Sequence, residues 1–432
     1  MPIKTLLYLC VFLGAASGGI FYHPVVAVYG YLATYTINPA EAWWGSFVPV
    51  WASRYSFILG ASAIAGAFIH RSKVEGRYPL HSQEVLLILF CLIVWFSHLV
   101  GLGPSPDSNA LKVTKFTIML LVTVRLITNQ RRYEGLIWVL IITGLYLGYQ
   151  AYRAPGWMFI HGRLSGGIGG PDFAETNFLA AHFAILLPFI GVMFLRGDWK
   201  IKLLSLLAGA FVFNGIVLCR SRGSFLALVA GGIGAVVLAK KEIRKKVLIV
   251  LILGAIGGSL LVDPGFWRRA AQIHTNENSL DVSAVGRIEA WKAAIAMTMD
   301  HPLGVGEGNF KPMVGMYNPA IPGKDTHNTL LRCMAELGLQ GLIVMLLLML
   351  NAFRIPSRIR KDAESLEHKE DILLNVYALQ VALVTFFVSG LFITETYIEE
   401  FYWLLMMPLF LQRSVSSARA GEIGRERAKA ED

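Results

Sequence analysis

The sequence predicts an all-α, polytopic membrane protein, and three of its features support this class. Of its 432 residues, 55% are hydrophobic and only 16% are charged, whereas a soluble chain carries about a quarter charged residues. Apolar runs of roughly 16–25 residues, each long enough to cross a bilayer, recur along most of the chain. Lys and Arg cluster in the short segments between these runs, which is typical of cytoplasmic loops.

With the basic clusters on the cytoplasmic side, the apolar runs predict about twelve transmembrane helices and both termini inside. Residues 5–37, interrupted by His23-Pro24, form either one broken span or a short hairpin. A cytoplasmic Lys4 favours an odd number of crossings there. The other predicted spans lie near 52–70, 83–101, 112–128, 133–152, 173–195, 203–219, 224–239, 247–262, 326–352, 372–393 and 398–412.

One long periplasmic loop is predicted to interrupt the series of spans, and a loop of this length is usually functional or separately folded. In order, the chain is predicted to comprise spans one to nine (1–262), this loop (263–325), spans ten to twelve (326–412) and a cytoplasmic tail (413–432). Apolar residues recur at helical spacing in the loop: Ile288, Trp291, Ile295 and Met299. This stripe predicts a helix over 286–299, so the loop is partly helical.

Composition and motif spacing argue against several other classes of protein. The formal net charge of +10 is spread over short loops without a basic patch interleaved with aromatics, so nucleic acid is not an expected partner. The four cysteines fall inside or beside apolar runs and lack metal-ligand spacing. The glycine-rich stretch 304–309 follows no strand of a βαβ unit, so it does not predict a nucleotide loop. No metal or cofactor is therefore expected, and Asp172 with Glu175 is the nearest approach to an external metal site.

Arg220 and Arg222 flank a short turn between two predicted spans. They lie on the outer side, where the positive-inside rule disfavours cations, and the next helix begins beside them. Guanidinium groups bind phosphate bidentately, and the free N–H groups of a helix start attract anions, so this turn is a candidate diphosphate site. The ordinary alternative is that both side chains extend to the lipid headgroups.

Two further arginines are candidates for the same anion. Arg287 is predicted to lie in the first turn of the loop helix, where a cation opposes the helix dipole unless an anion is near. Arg163 lies in the glycine-rich external segment 153–172 and has weaker support. Each of them could instead be an ordinary exposed arginine.

His327 lies where the long loop returns to an apolar run. A helix N-terminus lowers the pKa of an imidazole, so a neutral ring able to accept a proton near pH 7 is predicted. Asp325 could orient the ring, and Asp325 or Thr326 could cap the helix. His327 could instead be only a cap or an interfacial residue. Arg332 and Glu336, four residues apart within the same span, predict a structural ion pair.

Three motifs occur in one order: "SRGS" (221–224), "GRIEAWKAAIAMTMDHPLGVGEGNF" (286–310) and "HNTLLRCMAELGLQG" (327–341). Together they resemble the O-antigen ligase and O-antigen polymerase superfamily of bacterial membrane proteins. The family pattern is SRG, then G-R-x-x-x-W with P-x-x-G-x-G-x-x-x-F behind it, then H-N with E-x-G. The resemblance covers about 220–341, with slightly altered spacing in the second motif. Residues 38–47, "NPAEAWWGSF", more loosely resemble the exosortase-associated O-glycosylation ligase branch.

This resemblance implies a glycosyltransferase of the bacterial inner membrane whose active site faces the periplasm. Such an O-antigen ligase transfers a glycan from undecaprenyl diphosphate to a sugar hydroxyl of lipid A–core, without a nucleotide or a metal. An O-antigen polymerase or a protein O-oligosaccharyltransferase would use the same donor, and these alternatives stay open. A lipid-linked glycan transporter is a more distant alternative.

The candidate residues then have expected roles. The enzyme must stabilise charge on the departing diphosphate, which oriented arginines can do without a metal, and must remove a proton from the acceptor hydroxyl. We expect His327 to be the general base in a direct displacement that inverts the anomeric centre. The expected catalytic residues are His327, Arg287 and Arg222, and the expected substrate-binding residues are Arg220, Arg163, Asn328 and Asp325.

Overall fold

The computed structural model describes residues 1–71, 79–103, 109–165, 167–173, 175–261 and 282–431, so residues 263–281 of the predicted long loop lie outside the described residues. The helices, in chain order, are α1 (Ile3–Phe21), α2 (Val25–Ile37), α3 (Val50–Ser53), α4 (Tyr55–Ile69), α5 (Ser82–Val100), α6 (Asn109–Leu126), α7 (Gln130–Tyr152), α8 (Thr176–Arg196), α9 (Trp199–Cys219), α10 (Arg222–Leu238), α11 (Lys241–Leu261), α12 (Val282–Asp300), α13 (Phe310–Tyr317), α14 (Thr329–Ala363), α15 (Lys369–Gly390) and α16 (Glu399–Glu431). Strands β1 (Phe159–Ile160) and β2 (Arg163–Leu164) form a small antiparallel hairpin between α7 and α8. Short 3-10 turns lie at Pro39–Glu41, Gly45–Phe47, Gly156–Met158 and Pro171–Phe173.

The helices confirm the predicted all-α, polytopic class. In the described part of the chain, seven helices are long and apolar enough to cross a membrane: α1, α5, α7, α8, α9, α14 and α15. Three shorter apolar helices, α2, α4 and α10, accompany them. The predicted number of about twelve crossings and the periplasmic side of the long loop stay predictions.

The two ends of the helical bundle differ in chemistry. At one end, the basic end, lie the connections α6–α7, α8–α9, α10–α11 and α14–α15, which carry many of the Lys and Arg residues. At the other, the loop end, backbone contacts join separate segments, for example the Gly170 amide to the Thr36 carbonyl (2.9 Å). The loop end is formed by residues 38–54, 153–165, 167–173, 220–221, 301–328 and 391–398.

The N-terminal helices contradict the predicted position of Lys4. The chain reverses direction between α1 and α2, and this turn lies at the basic end, where the His70 ring meets the Ile20 carbonyl (2.9 Å). Lys4 therefore lies at the loop end, with its ammonium 5.8 Å from the ring centroid of Trp43. The α1–α2 hairpin decides the position of Lys4, and a charge-counting rule does not detect a hairpin.

Helix α14 is broken at Gly338, a feature that its apolar pattern did not predict. Gly338 has a φ of 72° and a ψ of −173°, so the helical hydrogen bonds of the preceding turn are interrupted. Two carbonyls freed by the break accept from the glycine-rich loop instead. The Val305 amide donates to Ala335 O (2.9 Å) and the Gly306 amide donates to Glu336 O (3.1 Å).

Glycine is required where the loop and the broken helix approach each other. A Cβ on Gly338 would lie 2.4 Å from the carbonyl carbon of Leu303, and a Cβ on Gly304 would lie 2.3 Å from the backbone carbonyl oxygen of Glu336. Both glycines also have a positive φ. The G-x-G spacing of the loop therefore serves close backbone packing.

The predicted loop helix is present as α12 and begins four residues earlier than predicted. Its buried face is made of small residues and Met297, which pack against Phe310 and Val314 of α13. The larger members of the predicted stripe, Ile288 and Ile295, are exposed instead.

We expect Gly338→Ala to lower the free energy of unfolding by roughly 2–4 kcal/mol, because the new Cβ combines a positive φ with a clash against backbone. Thermal unfolding of the purified protein in detergent, followed by near-ultraviolet circular dichroism, measures the change. Gly254→Ala is the matched control, because a Cβ at Gly254 meets no atom within 4 Å. Equal melting temperatures for the two variants would contradict the constraint at Gly338.

Candidate active site

The turn between α9 and α10 presents two of the predicted arginines. Arg220 follows the end of α9 in a left-handed conformation (φ 44°), and its Nη1 donates to the His161 carbonyl (3.4 Å). Ser221 caps α10 by accepting from the Ser224 amide (3.4 Å). Arg222 is the first residue of α10, so the predicted helix start beside the two arginines is confirmed.

Arg163 reaches the same turn from strand β2. Its Nε donates to the Cys219 carbonyl (2.9 Å) and its Nη2 donates to Oδ1 of Asn177 (2.7 Å). The same Asn177 oxygen accepts from the Ser221 hydroxyl (2.9 Å). Asn177 thus joins a guanidinium to the cap of α10. It belongs to no motif, and a polar residue in the first turn of a predicted span was the only sequence signal for it.

His327 lies at the loop end, just before α14, in a left-handed conformation (φ 46°). Its ring is half-buried and makes no hydrogen bond to any residue in the described ranges. Burial lowers the pKa of His327 below its usual value, Asp325 and Glu175 oppose this shift, and Arg287 and Lys311 add to it. The imidazole is therefore neutral at pH 7, and a ring nitrogen is available to a substrate.

Asp325 does not hydrogen-bond to the His327 ring, contrary to the predicted orienting role. Its Oδ1 accepts from Arg332 Nη1 (3.1 Å) and from the Thr394 hydroxyl (3.0 Å), and its Oδ2 lies 3.2 Å from Lys311 Nζ. Burial alone would raise the pKa of Asp325, but Arg332 and Lys311 outweigh it and hold that pKa well below its usual range. Asp325 is a charged structural anchor of the segment that carries His327.

Helix α14 is capped by Asn328 rather than by Asp325 or Thr326. The Asn328 Oδ1 accepts from the Leu331 amide (3.0 Å), and its Nδ2 donates to the Leu391 carbonyl (3.2 Å). A cap must lie one residue before the first helical residue, and the helix begins later than predicted. The substrate contact predicted for Asn328 stays a prediction.

The predicted ion pair between Arg332 and Glu336 is confirmed, with Nε and Oε1 2.7 Å apart. Glu336 is fully buried, and its Oε1 also accepts from the Phe310 amide (3.0 Å). Its Oε2 accepts from the Tyr397 hydroxyl (2.9 Å). This carboxylate therefore joins α14 to α13 and to the segment before α16.

Trp291, the tryptophan of the same G-R-x-x-x-W motif, holds Arg287 beside His327. Trp291 lies one helical turn further along α12. Its indole donates to the carbonyl of Thr326 (2.8 Å), the residue that precedes His327 in the sequence. Because residues four apart share a helix face, Arg287 lies on the same side of α12 as Trp291. Arg287 is not in the first turn of the helix as predicted, since α12 begins at Val282.

Glu175 and Asn177 link the two groups of residues. The Asn177 Nδ2 donates to Glu175 Oε1 (2.6 Å), and Asn177 also binds Arg163 and Ser221. Glu175 in turn acts electrostatically on the ring of His327. The structure therefore brings the SRG turn and the His327 segment to one region of the loop end.

The described residues offer little to a metal ion. Among them, no group of three His, Cys, Asp or Glu side chains could hold one. Asp172, which sequence spacing marked as the nearest approach to a ligand, is buried and bound to Lys112 and to the Tyr35 hydroxyl. Positive charge at this site comes instead from arginine and lysine side chains.

These features define a multi-pass helical membrane protein with a cationic, histidine-containing site at one end of the bundle. Residues 207–346 match the family model of O-antigen ligase, and this stretch includes Arg220, Arg222, Arg287 and His327. Residues 207–346 are therefore similar to the O-antigen ligase family, which confirms the resemblance predicted from the three motifs. A comparison with individual curated proteins found no match.

Proposed function

We propose that the protein is an O-antigen ligase that transfers a glycan from undecaprenyl diphosphate to a sugar hydroxyl of lipid A–core. The reaction would take place at the periplasmic face of the inner membrane. One observation carries the proposal: Arg287 and Glu175 both act electrostatically on the neutral, available His327 ring, and Asn177 joins Glu175 to the SRG turn. The O-antigen ligase domain over residues 207–346 supports the same chemistry.

Arginines would stabilise the departing diphosphate. The donor is already activated through its anomeric phosphate bond, and negative charge grows on the diphosphate as that bond breaks. Arg222 and Arg287 would bind this charge, with Arg220 and Arg163 beside them, and the first amides of α10 would add N–H donors. Cations fixed before the reaction stabilise developing charge without reorganisation, so they can replace a metal ion.

His327 would act on the acceptor. As the acceptor oxygen attacks the anomeric carbon, the imidazole takes its proton, and the bond between that carbon and the diphosphate oxygen breaks. This single displacement inverts the anomeric centre. A neutral ring is required for the step, and burial of His327 provides it near pH 7.

We expect His327→Ala to lower kcat by about 10²–10⁴-fold in a reconstituted assay with purified lipid-linked donor, because a general base contributes this range. His301→Ala, a histidine just after α12, is the matched control and should retain transfer. Near-normal transfer by His327→Ala would reject the base role.

The pH profile of transfer provides an independent measurement on the same residue. Because the pKa of His327 lies below its usual 6.5, activity should be lost only as the pH falls below that value. Lys311→Gln removes a cation that lowers this pKa, so its acid limb should move to higher pH. Lys292→Gln, which changes an exposed lysine paired with Glu289, should leave the limb in place.

For Arg287, we expect a loss of at least about 100-fold in kcat/KM for Arg287→Ala, the size seen when one transition-state donor is removed. Arg287→Lys should restore little, because an ammonium cannot form the bidentate contact. Lys292→Ala, on the same helix, should retain activity. Full activity in both Arg287 variants would remove this residue from the site.

The acceptor is tested by deleting the gene and analysing lipopolysaccharide, lipid-linked glycans and glycoproteins. A ligase predicts loss of long-chain lipopolysaccharide together with accumulation of lipid-linked polymer. Accumulation of single repeat units would indicate an O-antigen polymerase instead. Loss of glycans from secreted proteins alone would indicate a protein O-oligosaccharyltransferase.

A further inference from the structure

The outward face of α12 is apolar, although this helix lies outside the predicted spans. Ile288, Ile295 and Met299 are 45%, 43% and 76% exposed and share one helix face. Lys292 lies within the same face, and its ammonium binds Glu289 Oε1 (2.8 Å). We refer to Ile288, Lys292, Ile295 and Met299 as the α12 stripe.

Packing among the residues that the structure describes does not account for the α12 stripe. The opposite face of α12 is buried through Ala290, Ala293 and Ala294, small residues that allow close approach to the rest of the loop end. A helix on a water-exposed surface would normally bury its large apolar residues and expose polar ones. Helix α12 does the reverse, as a helix does when its outer face contacts lipid.

One end of the α12 stripe is continuous with the exposed apolar surface of two candidate spans. The backbone just after α12 hydrogen-bonds to the Leu339 amide in α14 (3.0 Å) and to the Leu102 amide just after α5 (3.0 Å). Both α5 and α14 are long and apolar enough to cross a membrane. Large exposed apolar side chains continue from this junction along both helices: Leu99, Leu102, Leu303, Leu339 and Ile343.

We propose that α12 docks on the membrane, with the α12 stripe against the acyl chains of the adjacent leaflet and Met299 at the deeper end. Lipid is the occupant because the stripe continues a surface that faces lipid in a multi-pass protein. Lys292 fits this arrangement, since its aliphatic stem covers apolar surface while its ammonium reaches the headgroups. Docking would hold Arg287, which precedes Ile288, near the level of the headgroups.

Spin labels on the full-length protein test this docking. Of the four cysteines only Cys10 is exposed, so Cys10→Ser removes the accessible thiol. Single variants Ile295→Cys and Met299→Cys are labelled with a nitroxide in nanodiscs of phosphatidylethanolamine and phosphatidylglycerol. Ile343→Cys on α14 is the lipid-exposed reference, and Ala320→Cys is the water-exposed reference. Power-saturation EPR measures collisions with oxygen, which concentrates among acyl chains, and with Ni(II)EDDA, which stays in water.

We expect the ratio of oxygen to nickel collisions at 295 and 299 to be severalfold higher than at 320 and to approach the ratio at 343. A ratio equal to that at 320 would overturn the docking. Low collision rates with both reagents would also overturn it, since the stripe would then be covered by protein. Unchanged circular dichroism confirms that each labelled variant is folded. The measurement needs no glycan transfer, so its outcome is independent of the proposed ligase reaction.

Discussion

The buried carboxylate of Glu336 is the contact on which the loop end depends. Its oxygens accept from Arg332, from the Phe310 amide and from the Tyr397 hydroxyl, so three separate parts of the chain meet at one charge. Removing one partner of such a buried pair typically costs about 3–5 kcal/mol, because the remaining charge is left uncompensated. The Glu336 carbonyl also accepts from Gly306 at the helix break. Side chain and backbone of one residue therefore fix the loop against α14.

From Glu336, charges alternate toward the surface and end beside the histidine. Arg332 binds both Glu336 and Asp325, and Asp325 binds Lys311. Each of these charged groups is neutralised by its neighbours. The network therefore stabilises the structure of the loop end and is not expected to bind substrate. His327 adjoins the network without a hydrogen bond from any described residue, and its backbone has a left-handed conformation. The proposed role of general base requires such a chemically available imidazole.

The features that the sequence predicts are those that a local pattern determines. Composition sufficed for the helical membrane class, the Arg222 helix start followed from one short motif, and the Arg332–Glu336 pair followed from i, i+4 spacing in an apolar run. A local pattern does not predict a structure that a distant contact decides. The break at Gly338 exists because amides some thirty residues away satisfy the freed carbonyls, and the position of Lys4 depends on the α1–α2 hairpin, whose turn contacts His70. No local pattern records either contact.

Backbone strain at the loop end bears on how the site works. Among the described residues, four non-glycine residues have a positive φ: Asn38, His161, Arg220 and His327. All four lie at the loop end, and two of them were candidates from sequence alone. Such conformations cost about 1–3 kcal/mol each and persist only where the surroundings are rigid. A rigid backbone keeps the arginine and histidine groups in place before substrate arrives. Because stabilisation of developing charge is largest when its donors need not move, this rigidity favours the role proposed for the arginines in binding the diphosphate.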